Sequence, residues 1–404
     1  MPSTNESASN LKKQRSKSIS SQDLQVGTYY NIEKDGTQVG CIVERRLNAG
    51  IEEYYIHYEG LDRRLDEWVT ADRIKNSVNN PKNEEPESPA TSEGRKITRN
   101  MKRKHEETNL QESIQKEESE NIEDDAEKER ENLTMIKYIE QVQFGKIEMD
   151  TWYFSPYPNN FGRCKKLYIC EFCLKYMEME KTYRYHKGEC AVRHPPGKKI
   201  YKKNQLEVYE IDGAEQKLYC QLLSLFCKLF IDHKTVFFDI GPFVFYVLTK
   251  VDRQGAHLIG YFSKEKKSDD DYNVACIVIL PHYQKNGYGK FLIGLSYELT
   301  KLEGKQGTPE IPISDLGKKT YRSFWIWKLM SIIEDYRGII SIDELVKVTG
   351  ILRDDIIDTF NYLNLNCFRK NEYVICIVPK MLEDIKNSGI YKVPSLVVDS
   401  DCML

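Results

Sequence analysis

The sequence predicts a mixed α/β (α+β) protein with a small N-terminal β-barrel and a larger unit built around a strand–loop–helix core. Three observations carry this. Residues 24–74 are short runs rich in β-branched and aromatic residues, cut by Gly27, Asp35-Gly36, Ala49-Gly50 and Gly60. Residues 77–133 contain no Phe, Tyr or Trp and are dominated by charge. From Met135 onward, apolar strand-like runs alternate with helical spacing and no internal repeat is found. At 404 residues the chain exceeds what one hydrophobic core usually supports, about 250 residues, so more than one folded region is expected.

Composition excludes several classes. A chain with 26 Tyr and 15 Phe is not disordered throughout. A net charge of −3 excludes a polycation that coats nucleic acid, so any basic surface is local. No run of about 18 uncharged apolar residues occurs, so no membrane span is expected. The opening MPSTNESASNLKKQRSKSISS lacks the apolar core of a secretory signal. The 11 Cys, odd in number and scattered, fit a reducing compartment in which a close cluster binds metal.

Taken in order, residues 1–22 read as a disordered polar tail. Residues 23–76 read as the barrel, closed by a short helix at Thr70–Ile74. Residues 77–133 read as a disordered charged linker. Within it, Arg95, Lys96, Arg99, Lys102, Arg103 and Lys104 are either a nuclear-import signal or a solvated charge run. Residues 134–404 form the third region. Near its start stands Cys170-x2-Cys173-x12-His186-x3-Cys190, with Cys164 and His194 flanking. A CxxC turn places two thiolates together, and a helix with His and Cys at i and i+4 supplies two more donors. Four N/S ligands suit a closed, structural zinc site, the zinc finger of residues 164–194.

The stretch Asn273–Leu299 carries the second constellation. VACIVIL reads as a buried strand ended by Pro281. The loop Gln284, Lys285, Asn286, Gly287, Tyr288, Gly289, Lys290 then opens a helix marked by Leu292, Leu295 and Leu299. Glycines allow close backbone approach to an anion, and the first N–H groups of a helix are unpaired donors, which makes a pyrophosphate cradle. It is not a P-loop, because GxxxxGK[ST] is absent. It is not the dinucleotide fingerprint, because residue 292 is Leu. A Q/R-x-x-G-x-G loop is the form N-acetyltransferases use for coenzyme A; a plain glycine turn before a core helix is the alternative. Glu310, in GTPEIPISDLG, sits on a segment stiffened by two prolines and reads as a held base or a solvated loop residue. Cys276 reads as a small core residue. Residues 320–390 outline helix, turn, helix and hairpin, a winged-helix-like subdomain. In it Ser341 to Glu344 has capping-box spacing, and CFRK pairs with YVICIV across Asn371.

Across 24–74 and 135–390 the chain closely resembles the MYST family of lysine acetyltransferases, within it those with an N-terminal chromo-barrel (Tudor-knot). The stretches that carry the resemblance are QFGKIEMDTWYFSPYP, RHPPG, KLFIDHKTVFFD, GYFSKEK, YNVACIVILPHYQKNGYGKFLI and PEIPISDLG. The resemblance implies a GNAT-like, acetyl-CoA-binding catalytic core over residues 200–318. It implies Glu310 as general base and Cys276 as the cysteine near the thioester. Ile277, Val278, Ile279 and Gln284 to Lys290, with Ser314 and Ser323, are then the acetyl-CoA contacts. Cys170, Cys173, His186 and Cys190 are the zinc ligands, and Lys234 is the lysine acetylated on itself. Tyr54, Tyr55, Tyr58 and Trp68 then either form a methyl-lysine cage or pack the barrel. Two departures are local: Gln284 stands where Arg is common, and Gly241 where a polar residue is common.

The resemblance implies a nuclear histone acetyltransferase, acting on histone tails and nucleosomes within a multisubunit complex, with RNA or methylated histone as ligand of the barrel. A lysine of pKa about 10.4 is protonated at neutral pH, so a base must free its amine. Direct attack on the thioester and a ping-pong route through acetyl-Cys276 both stay open, direct attack asking less of Cys276. Two other classes compete. One is a chromatin reader or scaffold with an inactive enzyme domain, against which the intact loop and Glu310 argue. The other is a zinc-finger DNA-binding regulator, against which the net charge argues.

Overall fold

The computed structural model describes residues 24–78, 136–232, 234, 236–268, 270–335, 340–369, 372–375 and 379–404. The tail 1–22 and nearly all of the linker, with its basic cluster, lie outside the described residues. The described chain forms two compact units, residues 24–78 and residues 137–404. No helix among the described residues is long and apolar enough to cross a membrane.

The first unit is an antiparallel five-stranded sheet. Its strands are β1 (Tyr29–Glu33), β2 (Thr37–Asn48), β3 (Ile51–Tyr58), β4 (Glu67–Thr70) and β5 (Ile74–Val78), in the order β4-β3-β2-β1-β5. Ala49 and Gly50 both take positive φ in the two-residue turn joining β2 to β3, the geometry that matches strand twist. The expected closing helix is only a 3-10 turn, Ala71–Arg73. Ile74 then continues as strand, because its β-branched side chain alternates into the core. The four aromatic residues, read as either a cage or the packing of the barrel, divide between its core and a second aromatic pair. Tyr54 and Tyr58 join Tyr30, Ile32, Ile42 and Ile56 in the core. Tyr55 packs on Trp68 with centroids 5.2 Å apart, and the Arg46 guanidinium covers the Trp68 ring at 4.0 Å.

The second unit begins with β6 (Gln141–Phe144), β7 (Ile147–Asp150), β8 (Lys166–Ile169) and β9 (Tyr176–Met177), one sheet in the order β7-β6-β8-β9, followed by α1 (Glu180–Glu189). The finger's sheet thus draws in residues ahead of the 164–194 span read from sequence. Next come β10 (Lys198–Lys203), β11 (Leu206–Asp212), α2 (Lys217–Lys228), β12 (Phe243–Val251), β13 (Ala256–Glu265), β14 (Tyr272–Val274), β15 (Cys276–Ile279), α3 (Tyr288–Leu302) and β16 (Thr308–Pro309). The central sheet, β10-β11-β12-β13-β15, is antiparallel throughout. It is apolar on both faces. Tyr209, Ile211, Phe245, Val247 and Tyr261 pack with Cys220, Leu223, Phe226 and Cys227 of α2. Val208, Tyr246, Leu248 and Phe262 pack with Phe291, Leu292 and Leu295 of α3. Burying both faces between helices is what lets this sheet lack the polar alternation of an exposed one.

The run VACIVIL, read as one strand, is split at Ala275. Its N–H bonds Ser263, while Val274 pairs in parallel with Pro309 of β16 and Cys276 pairs with Ser263 of β13. The last region holds α4 (Asp315–Asp335), α5 (Ile342–Thr349), α6 (Arg353–Tyr362), the hairpin β17 (Asn366–Arg369) with β18 (Glu372–Ile375), and α7 (Pro379–Asn387). Ser341 and Glu344 form the capping box, and Gly350 ends α5 at φ 70°.

Candidate active site and metal centre

Cys170, Cys173, His186 and Cys190 converge, their donor atoms all within 4.8 Å of one another. Cys170 and Cys190 sulfurs stand 3.9 Å apart, and Cys173 Sγ is 3.2 Å from His186 Nε2. A tetrahedron with Zn–S bonds of about 2.3 Å has edges of about 3.8 Å, so the donors fit zinc and leave no open position. Leu174 supplies the knuckle turn at φ 63°. Cys190 is not on the helix, as the spacing suggested, but caps it: its N–H donates to the His186 carbonyl at 2.8 Å. The neighbouring Cys173 thiol draws the Cys170 thiol well below its usual range, toward the thiolate that binds metal. Cys164 stays apart, its thiol pushed up to about 11 by burial, and His194 faces Pro195 and Tyr209.

The finger is bolted to the central sheet. Glu171, inside the CxxC knuckle, accepts from His257 of β13 at 2.7 Å, and Asp252 holds the other ring nitrogen at 2.9 Å. The Ala256 N–H donates to the Arg193 carbonyl at 2.8 Å.

The loop between β15 and α3 has the geometry its glycines promised. Lys285 and Gly287 take φ 64° and 87°, and Gly287 is the N-cap of α3 with no side chain capping the first turn. The uncapped N–H groups of a 15-residue helix therefore sit beside Gly287, at the positive end of its dipole. Gln284 Nε2 donates to the Ile279 carbonyl at 3.0 Å, and Asn286 Nδ2 donates to the carbonyls of Tyr283 and Gln284, each at 3.2 Å. Both side chains brace the loop. Lys290 lies half-buried at the same end, its ammonium disfavoured by burial and by nearby Lys392.

Glu310 is placed by β16. Its N–H donates to the Val274 carbonyl at 2.8 Å, which brings it to the start of β15, where half-buried Cys276 lies. Lys234 is buried, near enough to α2 that its charge opposes the rise that burial imposes on the Cys220 and Cys227 thiols. Ser314 Oγ accepts from the Gly317 N–H at 3.1 Å and so caps the start of α4, while the Ser323 hydroxyl is buried with no hydrogen-bond partner among the described residues. One residue escaped the sequence reading: Tyr261, wholly buried, with its hydroxyl beside Cys276. Burial holds that phenol well above its ordinary range, hence protonated. An aromatic inside the apolar run HLIGYFSK carries no signal separating it from core.

Residues 194–403 match the MOZ/SAS family, residues 136–190 the MYST family zinc finger domain, and residues 24–76 the Tudor-knot, described as the RNA binding activity-knot of a chromodomain. The chain is 40% identical over 93% of its length to histone acetyltransferase MOF of Drosophila melanogaster, of which it spans about half (52%). It is 44% identical over 89% of its length to histone acetyltransferase of the MYST family 2 of Arabidopsis thaliana, covering 81% of that protein. With histone acetyltransferase mst1 of Schizosaccharomyces pombe the identity is 35%, over 86% of this chain and 85% of that protein.

Proposed function

Because the chain belongs to the MOZ/SAS family of MYST histone acetyltransferases, we propose that it moves the acetyl group of acetyl-CoA onto lysine side chains of histone tails. One observation carries the reading for this chain. The short strand β15 has Glu310 and Cys276 at its first end and the uncapped helix N-terminus at Gly287 beyond its last. A base and an anion cradle joined by one extended strand suit a ligand with a reactive thioester at one end and a pyrophosphate at the other.

In this reading Gly287 to Lys290, with Gln284, Lys285 and Asn286, hold the pyrophosphate, and Ile277, Val278 and Ile279 line the extended arm. The buried Ser323 hydroxyl and Ser314 make further contacts. Glu310 takes one proton from the substrate ammonium, the freed amine attacks the thioester carbonyl, and as the C–S bond breaks the CoA thiolate leaves and takes up the second N–H proton. The developing oxyanion is assigned to a backbone N–H beside Cys276. Direct attack is preferred because it needs no acyl transfer to Cys276. Zinc is structural and takes no part in the reaction. Lys234 is the lysine assigned to self-acetylation.

The protein is assigned to the nucleus, within a multisubunit complex on chromatin, with the barrel contacting RNA or nucleosomes. Tyr54 and Tyr58 lie in the barrel core, which disfavours the methyl-lysine cage. A DNA-reading role for the winged-helix-like region is disfavoured by α6, which presents Asp354 and Asp358 to solvent while burying Ile356, Thr359 and Phe360.

The test is acetylation of a histone-tail peptide. Glu310→Gln keeps the size and loses the proton acceptor, so the neutral-pH rate is expected to fall by about 10² or more. Part of the loss returns as pH rises and more substrate amine is neutral. Acetyl-CoA affinity by calorimetry stays near wild type. An unchanged rate removes Glu310 from the base role, and a competent acetyl-Cys276 intermediate overturns direct attack.

A further inference from the structure

The segment after α7 crosses the catalytic unit from the cofactor loop to the far sheet edge. At its first end, the Ser395 hydroxyl sits 2.2 Å from where a Cβ on residue 287 would stand, and the Leu396 nitrogen is 3.7 Å from that point. Beside it, Lys290 Nζ donates to the Lys392 carbonyl at 3.1 Å. Midway, Leu396 and Val398 pack against the core beneath α3, Val398 reaching to Gly294. At its last end, Met403 bridges Tyr201 of β10, and the Leu404 N–H donates to the Ile200 carbonyl at 2.8 Å. Asp399 pairs with Lys203 at 2.8 Å.

We propose that residues 392–404 are a strap that sets the shape of the cofactor loop, with Ser395 as the positioning residue that presses on Gly287. The proposal rests on the acetyl-CoA reading of that loop. Gly287 is required twice: its φ of 87° is one that L side chains avoid, and Ser395 occupies the space of a side chain. With that space filled, the loop is held against collapse and its N–H donors are aimed before the ligand arrives. Loop ordering otherwise subtracts from affinity, so the strap acts on cofactor binding rather than on chemistry. The anchors at Tyr201, Lys203 and Ile200 lie on β10, at the opposite edge of the sheet from β15, so the loop's geometry is held from a distance.

Three variants of the whole chain test this. Val398→Asp releases the middle of the strap. Lys203→Glu, at an exposed anchor, sets two like charges together without touching the core. Lys203→Glu with Asp399→Lys restores the pair. Calorimetry should show acetyl-CoA binding weakened about tenfold or more in Val398→Asp and about threefold in Lys203→Glu, with recovery in the exchanged pair. Hydrogen exchange at residues 287–291 should speed in the same order. KM for acetyl-CoA should follow the affinity, while kcat at saturation and KM for the histone peptide stay. Unchanged affinity and unchanged loop exchange in Lys203→Glu and in a folded, zinc-replete Val398→Asp, beside a wild type that binds acetyl-CoA, overturn the strap alone. A wild type that does not bind acetyl-CoA overturns the acetyltransferase reading and the strap's role in cofactor binding with it.

Discussion

His57 lies on β3 with Nδ1 3.0 Å from Asp66 Oδ2, and Asp66 is 2% exposed. The Tyr58 N–H also donates to Asp66, at 3.3 Å. The hydrogen bond to Asp66 raises the His57 pKa, Glu59 adds to it, and burial and Arg63 oppose it. A histidine whose folded pKa is raised contributes stability that is complete below its unfolded value, about 6.5, and is lost as pH climbs through the folded value. The barrel's calorimetric transition is therefore expected to fall as the pH rises above about 6.5, and Asp66→Asn should flatten the trend. A transition equally pH-dependent in that variant would assign the effect to another group. Neither partner was singled out in the sequence, because YYIHYEGLDRRLDEW does not reveal that the chain folds back to set residue 66 against residue 57.

At the scale of elements, the finger and the sheet form one mechanical piece. The knuckle residue Glu171 is held by His257 of β13, and β13 is the strand that pairs with β15. Four closed ligands couple metal binding to folding, since the unfolded chain has no such site. Cys173→Ser is expected to release zinc and to lower the melting temperature of the catalytic unit. A variant with full zinc content and an unchanged melt would place the ligand elsewhere. The clustering of these four residues was legible because CxxC and HxxxC spacing is local. The cap position of Cys190 was not, because i, i+4 spacing is the same whether the fourth residue ends the helix or follows it. The capping box at Ser341 was legible for the same local reason. The break at Ala275 was not, since pairing with β16 brings in residues more than thirty positions away.

On the scale of the whole molecule, the barrel carries no residue assigned to the chemistry. Residues 77–133, read from the sequence as a linker, contain no Phe, Tyr or Trp and no residue assigned to the chemistry. Residues 134–404 alone are expected to acetylate a free histone-tail peptide at the full-length rate and nucleosomes more slowly. Equal rates on both substrates, compared between the two lengths by initial-velocity assays, would remove the targeting role. The difference should shrink at high salt if charge on the barrel contributes to nucleosome contact, because exposed charges are screened beyond about 8–10 Å.

The sequence by itself determined the order of the parts: barrel, charged segment, Cys/His cluster, strand–glycine loop–helix, proline-flanked Glu310 and helical end. These rest on local chemistry, namely turn residues, ligand spacing, caps and periodicity, which neighbouring residues settle among themselves. Only the tertiary structure decided which of them meet. It set Glu310 beside the strand of Cys276 through β16, placed Tyr261 there, divided the barrel's aromatics between two faces, and laid Ser395 against Gly287. Each of these is a contact between segments distant in the chain. Such contacts are chosen by the burial of whole faces of sheet and helix, which no local pattern encodes.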